Sequence, residues 1–221
     1  NEDGIQTVIT ANGEKLETVK HFKYLGAIVS DEGSKPEILA RIAMTAATLS
    51  KLNTIWKDKS IKLASKIRLM RSLVCSVFLY ASETWTLTAE LYKRIQATEM
   101  RCFRRLLGIS YKDHITNEEV TNRIRQAIGP YEDLIATIKR RKLKWFGHVT
   151  RGSGLAKTVL QGTVRGQRRR GRQRKRWEDN ITEWTGLKMG EAIRRAVDKD
   201  GWRRLGYHSS SAPQRHPPWD R

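Results

Sequence analysis

Residues 139–177 form the segment that most limits how this chain can fold. They contain 15 Lys and Arg side chains and no Asp or Glu, in a chain with 43 basic and 23 acidic residues overall. Within them, residues 165–176 place eight cations in twelve positions, with two glycines. Because like charges at this density repel one another, this inner stretch cannot form a packed core by itself. The rest of the chain must therefore supply the folded body.

The cations of this segment predict a polyanionic partner. Nucleic acid carries closely spaced phosphates, and pairing them with Lys and Arg releases condensed counterions. We therefore predict binding to RNA, DNA or their hybrid, with weak sequence discrimination because cations contact phosphates and not bases. A nuclear localisation signal is the alternative for the same residues. The candidate contacts are Lys139, Arg140, Arg141, Lys142, Lys144, Arg165, Arg168, Arg169, Arg170, Arg172, Arg174, Lys175 and Arg176.

Other partners and compartments are less compatible with the sequence. The longest apolar run, Leu73 to Ala81, is about half as long as a bilayer span, and the first residues given have neither the basic nor the apolar region typical of a secretory leader. We therefore expect no membrane partner and an intracellular location, in the nucleus or the cytoplasm.

Cys75 and Cys102 lack a CxxC partner and are predicted to be buried free thiols. The first residue is Asn1 and not Met, so we expect either a piece of a longer protein or a processed end.

Apolar residues at helical spacing dominate from residue 34 onward. Ser34 and Glu37 have the spacing of a capping box, as do Thr116 and Glu119. A helix over the cations of 139–144 would present them on its surface. Helices are predicted over residues 34–56, 60–81, 88–107, 116–128, from Pro130 through 144, and in two shorter stretches near 177–184 and 192–197.

Residues 5–30 alternate apolar and polar positions and predict three short strands, with Asn12-Gly13 as a hairpin turn. A sheet this small has unpaired edges, so we expect it to continue a larger sheet outside this chain. The predicted fold class is mostly α. It comprises a short N-terminal antiparallel β-hairpin or sheet remnant, a helical bundle, and a small basic helical C-terminal region.

The sequence offers little for catalysis. A two-metal nuclease or polymerase needs at least two carboxylates about 4 Å from shared ions. Asp31-Glu32 lie in a turn, and Glu118-Glu119 lie in the first turn of a predicted helix, where acids favour the helix dipole. We predict no catalytic residue, no metal site, no cofactor and no small-molecule substrate for this chain alone.

Five blocks of sequence, spread in order over most of residues 15–205, carry a resemblance to a known family. They are Phe22 to Gly26 with the helix that follows, Ser82 to Leu87, Glu99 to Ser110, Arg140 to Val149, and Gly171 to Ile181 with Asp200 to Arg203 near the end. Together they resemble the reverse transcriptases of non-LTR (LINE-type) retrotransposons, from the end of the palm into the region after the polymerase. The resemblance implies nucleic acid as the partner.

The resemblance also implies roles for particular segments. Phe22, Lys23, Tyr24, Leu25 and Gly26 would form a primer-grip-like hairpin, which holds the growing 3′ end; sheet core is the alternative for Phe22 and Tyr24. Residues 1–33 would be this palm-end hairpin, 34–110 a thumb-like bundle, 111–205 the basic C-terminal region and 206–221 a disordered tail. For Trp145, Trp177 and Trp184, core packing and base stacking both stay open.

The family's paired catalytic aspartates, on an aromatic-x-Asp-Asp turn, would precede Phe22, and this sequence does not contain them. Mg²⁺ would be a cofactor of the full-length enzyme only. We therefore predict a nucleic-acid-binding C-terminal fragment of an RNA-directed DNA polymerase. Two alternatives are an active reverse transcriptase whose palm is supplied elsewhere, and a domesticated nuclear RNA- or DNA-binding protein.

Overall fold

The computed structural model describes residues 10–162 and 174–211, and the fold is mostly α. Four short strands precede helices α1 to α11 in the described chain. This confirms the predicted fold class.

The four strands form two separate antiparallel hairpins, where three strands were predicted. Strand β1 (Thr10–Ala11) pairs with β2 (Glu14–Lys15), and the predicted Asn12-Gly13 turn between them is confirmed. Strand β3 (His21–Tyr24) pairs with β4 (Ala27–Ser30) around a turn at Leu25-Gly26. Both residues of each turn have positive φ, as type I′ hairpin turns require.

Two helices replace the single helix predicted over residues 34–56. Helix α1 (Lys35–Lys51) has Pro36 in its first turn, where a missing N–H removes no helical hydrogen bond. The helix is interrupted at Leu52, and α2 (Asn53–Lys57) follows.

The capping box predicted at the start of α1 is wrong. Ser34 Oγ accepts a hydrogen bond from the Thr86 backbone N–H at 2.8 Å. Glu37 Oε2 accepts one from the Ile28 N–H of β4 at 2.7 Å. Both side chains therefore fasten α1 to distant segments and do not cap it.

The helix predicted over residues 60–81 is shorter and contains a π-helical section. It consists of α3 (Leu63–Leu69), the π-helical residues Met70–Val74, and α4 (Cys75–Phe78). Ala81 has a left-handed φ of 55°, which a continuing helix does not allow, and a 3₁₀ turn (Ser82–Thr84) follows.

The next two helices begin and end where the sequence predicts. Helix α5 (Ala89–Leu107) is capped by the Thr88 side chain and ends at Gly108, which has a φ of 68°. Helix α6 (Asn117–Ile128) begins with Thr116 Oγ1 accepting from the Glu119 N–H and ends at Gly129. Only this half of the predicted capping box forms, because the Glu119 carboxylate pairs with Arg123.

The C-terminal helices differ from the prediction at several points. Two of them, Leu155–Gln161 and Lys199–Ser211, were not predicted, and the helix predicted from Pro130 through 144 extends to Arg151. Helix α7 (Leu134–Arg151) does not begin at Pro130, because Asp133 caps it through the Ala136 N–H at 2.6 Å. The last helix continues through residues 206–211, which were assigned to a disordered tail, because this helix packs on α7 and Ser210 is buried. Residues 212–221 lie outside the described residues. The other helices are α8 (Leu155–Gln161), α9 (Trp177–Thr185), α10 (Met189–Val197) and α11 (Lys199–Ser211).

Helix α7 connects two apolar cores. Ile135 and Ile138, in its first half, pack with buried side chains of α1, α4 and α5. Leu143 and Phe146, in its second half, pack with α9, α10 and α11. A further core joins α1, α5 and α6. The domain boundaries predicted from the sequence stay a prediction. Helix α7, which was assigned to the basic C-terminal region, also packs against helices of the predicted thumb-like bundle.

The two cysteines are free thiols, as predicted. Cys102 is buried and Cys75 is half-buried, and burial raises the pKa of each to about 12. Neither therefore forms a reactive thiolate at neutral pH.

None of the helices in residues 10–162 and 174–211 combines the length and the apolar composition that crossing a bilayer requires.

Candidate nucleic-acid interface

The five cations predicted on α7 do not share one exposed surface. Lys139 is buried, and Lys142 has no exposed surface at all. On a helix of 3.6 residues per turn, position 142 falls beside Leu143, Ile135 and Ile138, whose face packs into the two cores. The prediction that Lys139 and Lys142 lie on the surface of α7 and contact phosphates is therefore wrong. The cause is that α9 covers this side of the helix.

Lys142 is held in a closed polar cluster. Its Nζ donates to the Trp85 carbonyl at 2.8 Å and to Asn180 Oδ1 at 3.1 Å. The same Nζ lies 4.4 Å from the ring centroid of Trp177 and 5.3 Å from that of Trp184. Burial, reinforced by nearby Lys175, lowers the pKa of Lys142 to about 6. The amine is thus a structural group between α7 and α9.

Asn180 completes this cluster, and its role was not predicted from the sequence. Its side chain accepts from the Leu87 N–H at 2.7 Å and donates to the Leu87 carbonyl at 3.0 Å. The Asn180 amide therefore pairs with the Leu87 backbone, just before α5, in the way a neighbouring β-strand would. A single Asn in a short helix carries no sequence signal for such a contact.

Replacing Lys142 with Met should change how stability depends on pH. The folded pKa of about 6 lies below the unfolded value of 10.5, so between them only the unfolded state binds the proton. The free energy of unfolding of the unmodified chain, relative to Lys142→Met, should therefore rise by up to about 1.4 kcal/mol per pH unit above pH 6. Urea unfolding of both proteins at several pH values measures this difference. A difference that stays constant with pH would contradict the assignment.

The other three cations of α7 are nearer solvent. Arg140 makes a two-bond ion pair with Glu132, with both N–O distances at 2.8 Å. Arg141 Nη1 donates to the Leu79 carbonyl at 2.6 Å. Lys144 is exposed, with no hydrogen bond or ion pair among the described residues. Of the five, Lys144 is therefore the cation best placed for a phosphate.

Residues 165–176, called the basic segment below, attach by their C-terminal end to the turn between β4 and α1. Arg174 Nη1 donates to the Asp31 carbonyl, in the turn after β4, at 2.7 Å. Lys175 forms an ion pair with Glu183, and the exposed Arg176 directly precedes α9. The predicted contacts Arg165, Arg168, Arg169, Arg170 and Arg172 lie outside the described residues.

The hairpin of β3 and β4 exposes its aromatic side chains. Phe22 is 58% exposed and Tyr24 is 61% exposed, and Lys23 and Leu25 are also exposed. The sheet-core alternative for Phe22 and Tyr24 is therefore wrong for this chain. The primer-grip-like role of these residues stays a prediction.

Two side chains fix the tip of this hairpin to the helices. Arg41 of α1 donates to the Gly26 carbonyl and pairs with Glu37 at 2.6 Å. The Tyr80 hydroxyl donates to the Leu25 carbonyl, and the Arg41 guanidinium lies 4.5 Å from the Tyr80 ring centroid. The hairpin is thus anchored by its backbone, which leaves its aromatic rings free.

A second cationic surface lies in a groove between α1 and α5. The groove has a volume of about 670 Å³, and Arg101, Arg104 and Arg105 line it. Arg104 is oriented by Asn117 Oδ1 at 2.8 Å and by the Ile115 carbonyl at 2.9 Å. None of the described residues lining the groove is acidic. This surface was not predicted from the sequence, because arginines on the polar side of a helix do not indicate a groove.

The described residues contain no group of three His, Cys, Asp or Glu side chains arranged to hold a metal ion. Asp113 instead accepts a hydrogen bond from the Ser110 N–H, and Glu119 pairs with Arg123.

The sequence is similar to that of a putative uncharacterized transposon-derived protein of Caenorhabditis elegans. The two are 31% identical over 174 residues, which is 76% of this chain. The chain spans 61% of the length of that relative. No family model matches the chain, and no solved structure matches it significantly.

Proposed function

We propose that this chain, like the transposon-derived relative, comes from a transposable element, and that it binds nucleic acid through phosphate contacts. The finer proposal is that it corresponds to the region after the catalytic palm of a LINE-type reverse transcriptase. The five ordered sequence blocks support this, and the similarity to a transposon-derived protein is consistent with it.

The observation that carries the binding proposal is the contact between Arg174 and the Asp31 carbonyl. It fixes one end of the basic segment beside the base of the β3–β4 hairpin. A strand of nucleic acid bound at this described end of the segment would then lie at the base of the hairpin, near the exposed ring of Phe22. Cations with adjoining aromatic rings are the usual combination in proteins that bind single strands.

Exposed cations elsewhere extend the possible path of the strand. Lys144 and Arg176 are exposed, and each directly precedes one of the two rings, Trp145 and Trp177, that meet between α7 and α9. Arg101 and Arg105 are exposed in the groove between α1 and α5, and neither has an ion pair among the described residues. These contacts would reach phosphates and not base edges, so binding should be nearly independent of sequence.

We further propose that the chain does not polymerise DNA by itself. The resemblance assigns the paired catalytic aspartates to sequence that this chain does not contain. A primer-extension assay on an RNA template tests this directly, since any incorporation above background would show that carboxylates of this chain suffice.

The experiment for the binding proposal measures equilibrium affinity at low salt. Labelled RNA, DNA and hybrid of equal length, each in two unrelated sequences, are titrated with the chain. We expect binding to all, with less than about tenfold difference between the two sequences of any one type. A difference of about 10³-fold or more would show base readout and contradict the proposal. Absence of binding to every ligand would also contradict it.

A further inference from the structure

Trp145 differs from the other tryptophans in the described part of the chain. Trp56, Trp85 and Trp202 are at most 3% exposed, and Trp177 and Trp184 are half-buried. Trp145 is 37% exposed, although a large aromatic ring gains stability from burial.

The indole N–H groups show the same difference. Four of them donate to protein acceptors within the described residues: Trp56 to the Leu49 carbonyl, Trp177 to the Glu83 carbonyl, Trp184 to the Tyr92 hydroxyl and Trp202 to the Leu143 carbonyl. Trp85 has no acceptor there but is buried. The N–H of Trp145 has none among the described residues, and its ring reaches solvent.

Trp145 also lies where the basic segment joins the folded body. Its ring meets that of Trp177 edge to face, with 5.3 Å between centroids and 75° between planes. Trp177 directly follows Arg176, and the exposed Lys144 precedes Trp145 on α7. The exposed His148 follows one helical turn later. A strand whose phosphates pair with Lys144 and Arg176 would therefore lie beside this ring.

We infer that Trp145 stacks on a base of a single strand whose phosphates pair with the neighbouring exposed cations Lys144 and Arg176. This inference rests on the proposed function, and it assigns a second kind of contact to the same surface. Trp177 fixes the Trp145 ring from one side, so little side-chain freedom is lost when a base stacks on it. Because every base has a π-face, such a contact is tolerant of sequence.

The test separates base stacking from phosphate contact. Two single strands of equal length and charge are compared, one with pyrimidine bases and one with abasic residues throughout. Trp145→Leu should weaken binding of the base-bearing strand by about 5- to 150-fold, the range measured for single stacking residues. Binding of the abasic strand should stay unchanged, and Trp145→Phe should restore part of the loss.

Tyr111→Leu is the matched control, because Tyr111 is an exposed aromatic residue in the turn after α5, away from the basic segment in sequence. It should weaken neither strand. Thermal unfolding of Trp145→Leu checks that α9 still packs on α7.

If Trp145→Leu weakens both strands equally, or neither, the stacking inference is overturned while the proposed function stands. If the unmodified chain binds neither strand, the proposed function fails and the inference fails with it.

Discussion

Replacing Arg168, Arg169, Arg170 and Arg172 with Gln should weaken the binding of single-stranded RNA by about 10²- to 10³-fold at low salt. These residues provide four of the eight cations in residues 165–176, which contain no acidic side chain. Without these guanidinium groups, fewer counterions leave the RNA when the chain binds, and their release is what favours binding. Fluorescence anisotropy with a labelled RNA measures the affinity of both proteins.

A second set of four cations provides the control for net charge. Lys57, Lys59, Lys62 and Arg68 are exposed residues around the connection between α2 and α3. Replacing these four with Gln removes the same total charge but should weaken binding by less than about tenfold, because exposed charges beyond a Debye length are screened. Equal losses in the two variants would mean that overall charge, and not the basic segment, determines binding.

Replacing Arg41 with Met should lower the free energy of unfolding by about 3–5 kcal/mol. The Arg41 and Glu37 side chains are only 8% and 4% exposed. Without the guanidinium, the Glu37 carboxylate keeps the Ile28 N–H but loses its buried cationic partner, and the Gly26 carbonyl loses a donor. The hairpin of β3 and β4 should also detach from α1, so proteolysis at the exposed Lys23 should become faster.

The chain offers a matched pair for this test. Arg94 and Glu90 have the same i, i+4 spacing on α5, but their side chains are about half exposed. Arg94→Met should therefore cost less than about 1 kcal/mol in urea unfolding. The double variant Glu37→Met with Arg41→Met should recover much of the loss, because it leaves no unpaired buried charge. If Arg41→Met is no more destabilising than Arg94→Met, the buried pair does not hold the hairpin.

Local sequence signals were sufficient to predict a helix end where the residues at that end determine it by themselves. The ends of α5 follow from Thr88, whose hydroxyl accepts from a helical N–H, and from Gly108, which adopts a left-handed conformation. The Asn12-Gly13 turn follows from the same conformational preference.

The same signals failed where a distant segment competes for the side chain. Ser34 and Glu37 have the spacing of a capping box, but their side-chain oxygens accept hydrogen bonds from the backbone N–H groups of Thr86 and Ile28 instead. A run of cations likewise predicts an exposed cationic surface only where no other segment of the chain packs over it. Lys142 is covered by α9, which begins 35 positions later, and its acceptor Asn180 has no signal in the sequence. Burial of this lysine depends on long-range packing, which periodicity alone does not describe.

Long-range packing can also create a surface that the sequence does not show, as the exposed arginines of α5 illustrate. Helical spacing places Arg101 and Arg105 on a polar side, but only the packing of α1 beside α5 makes that side a groove. The candidate interface therefore depends partly on composition, which the sequence provides, and partly on helix arrangement, which it does not.

The salt dependence of binding by the unmodified chain tests the central claim most directly. The association constant for a single-stranded RNA is measured between about 50 and 200 mM salt. About six phosphate contacts predict a slope of log K against log salt near −4, and thus a loss of about 10²- to 10³-fold over this range. An affinity that does not change with salt, or no binding at the lower concentration, would contradict the assignment of this chain as a phosphate-binding protein.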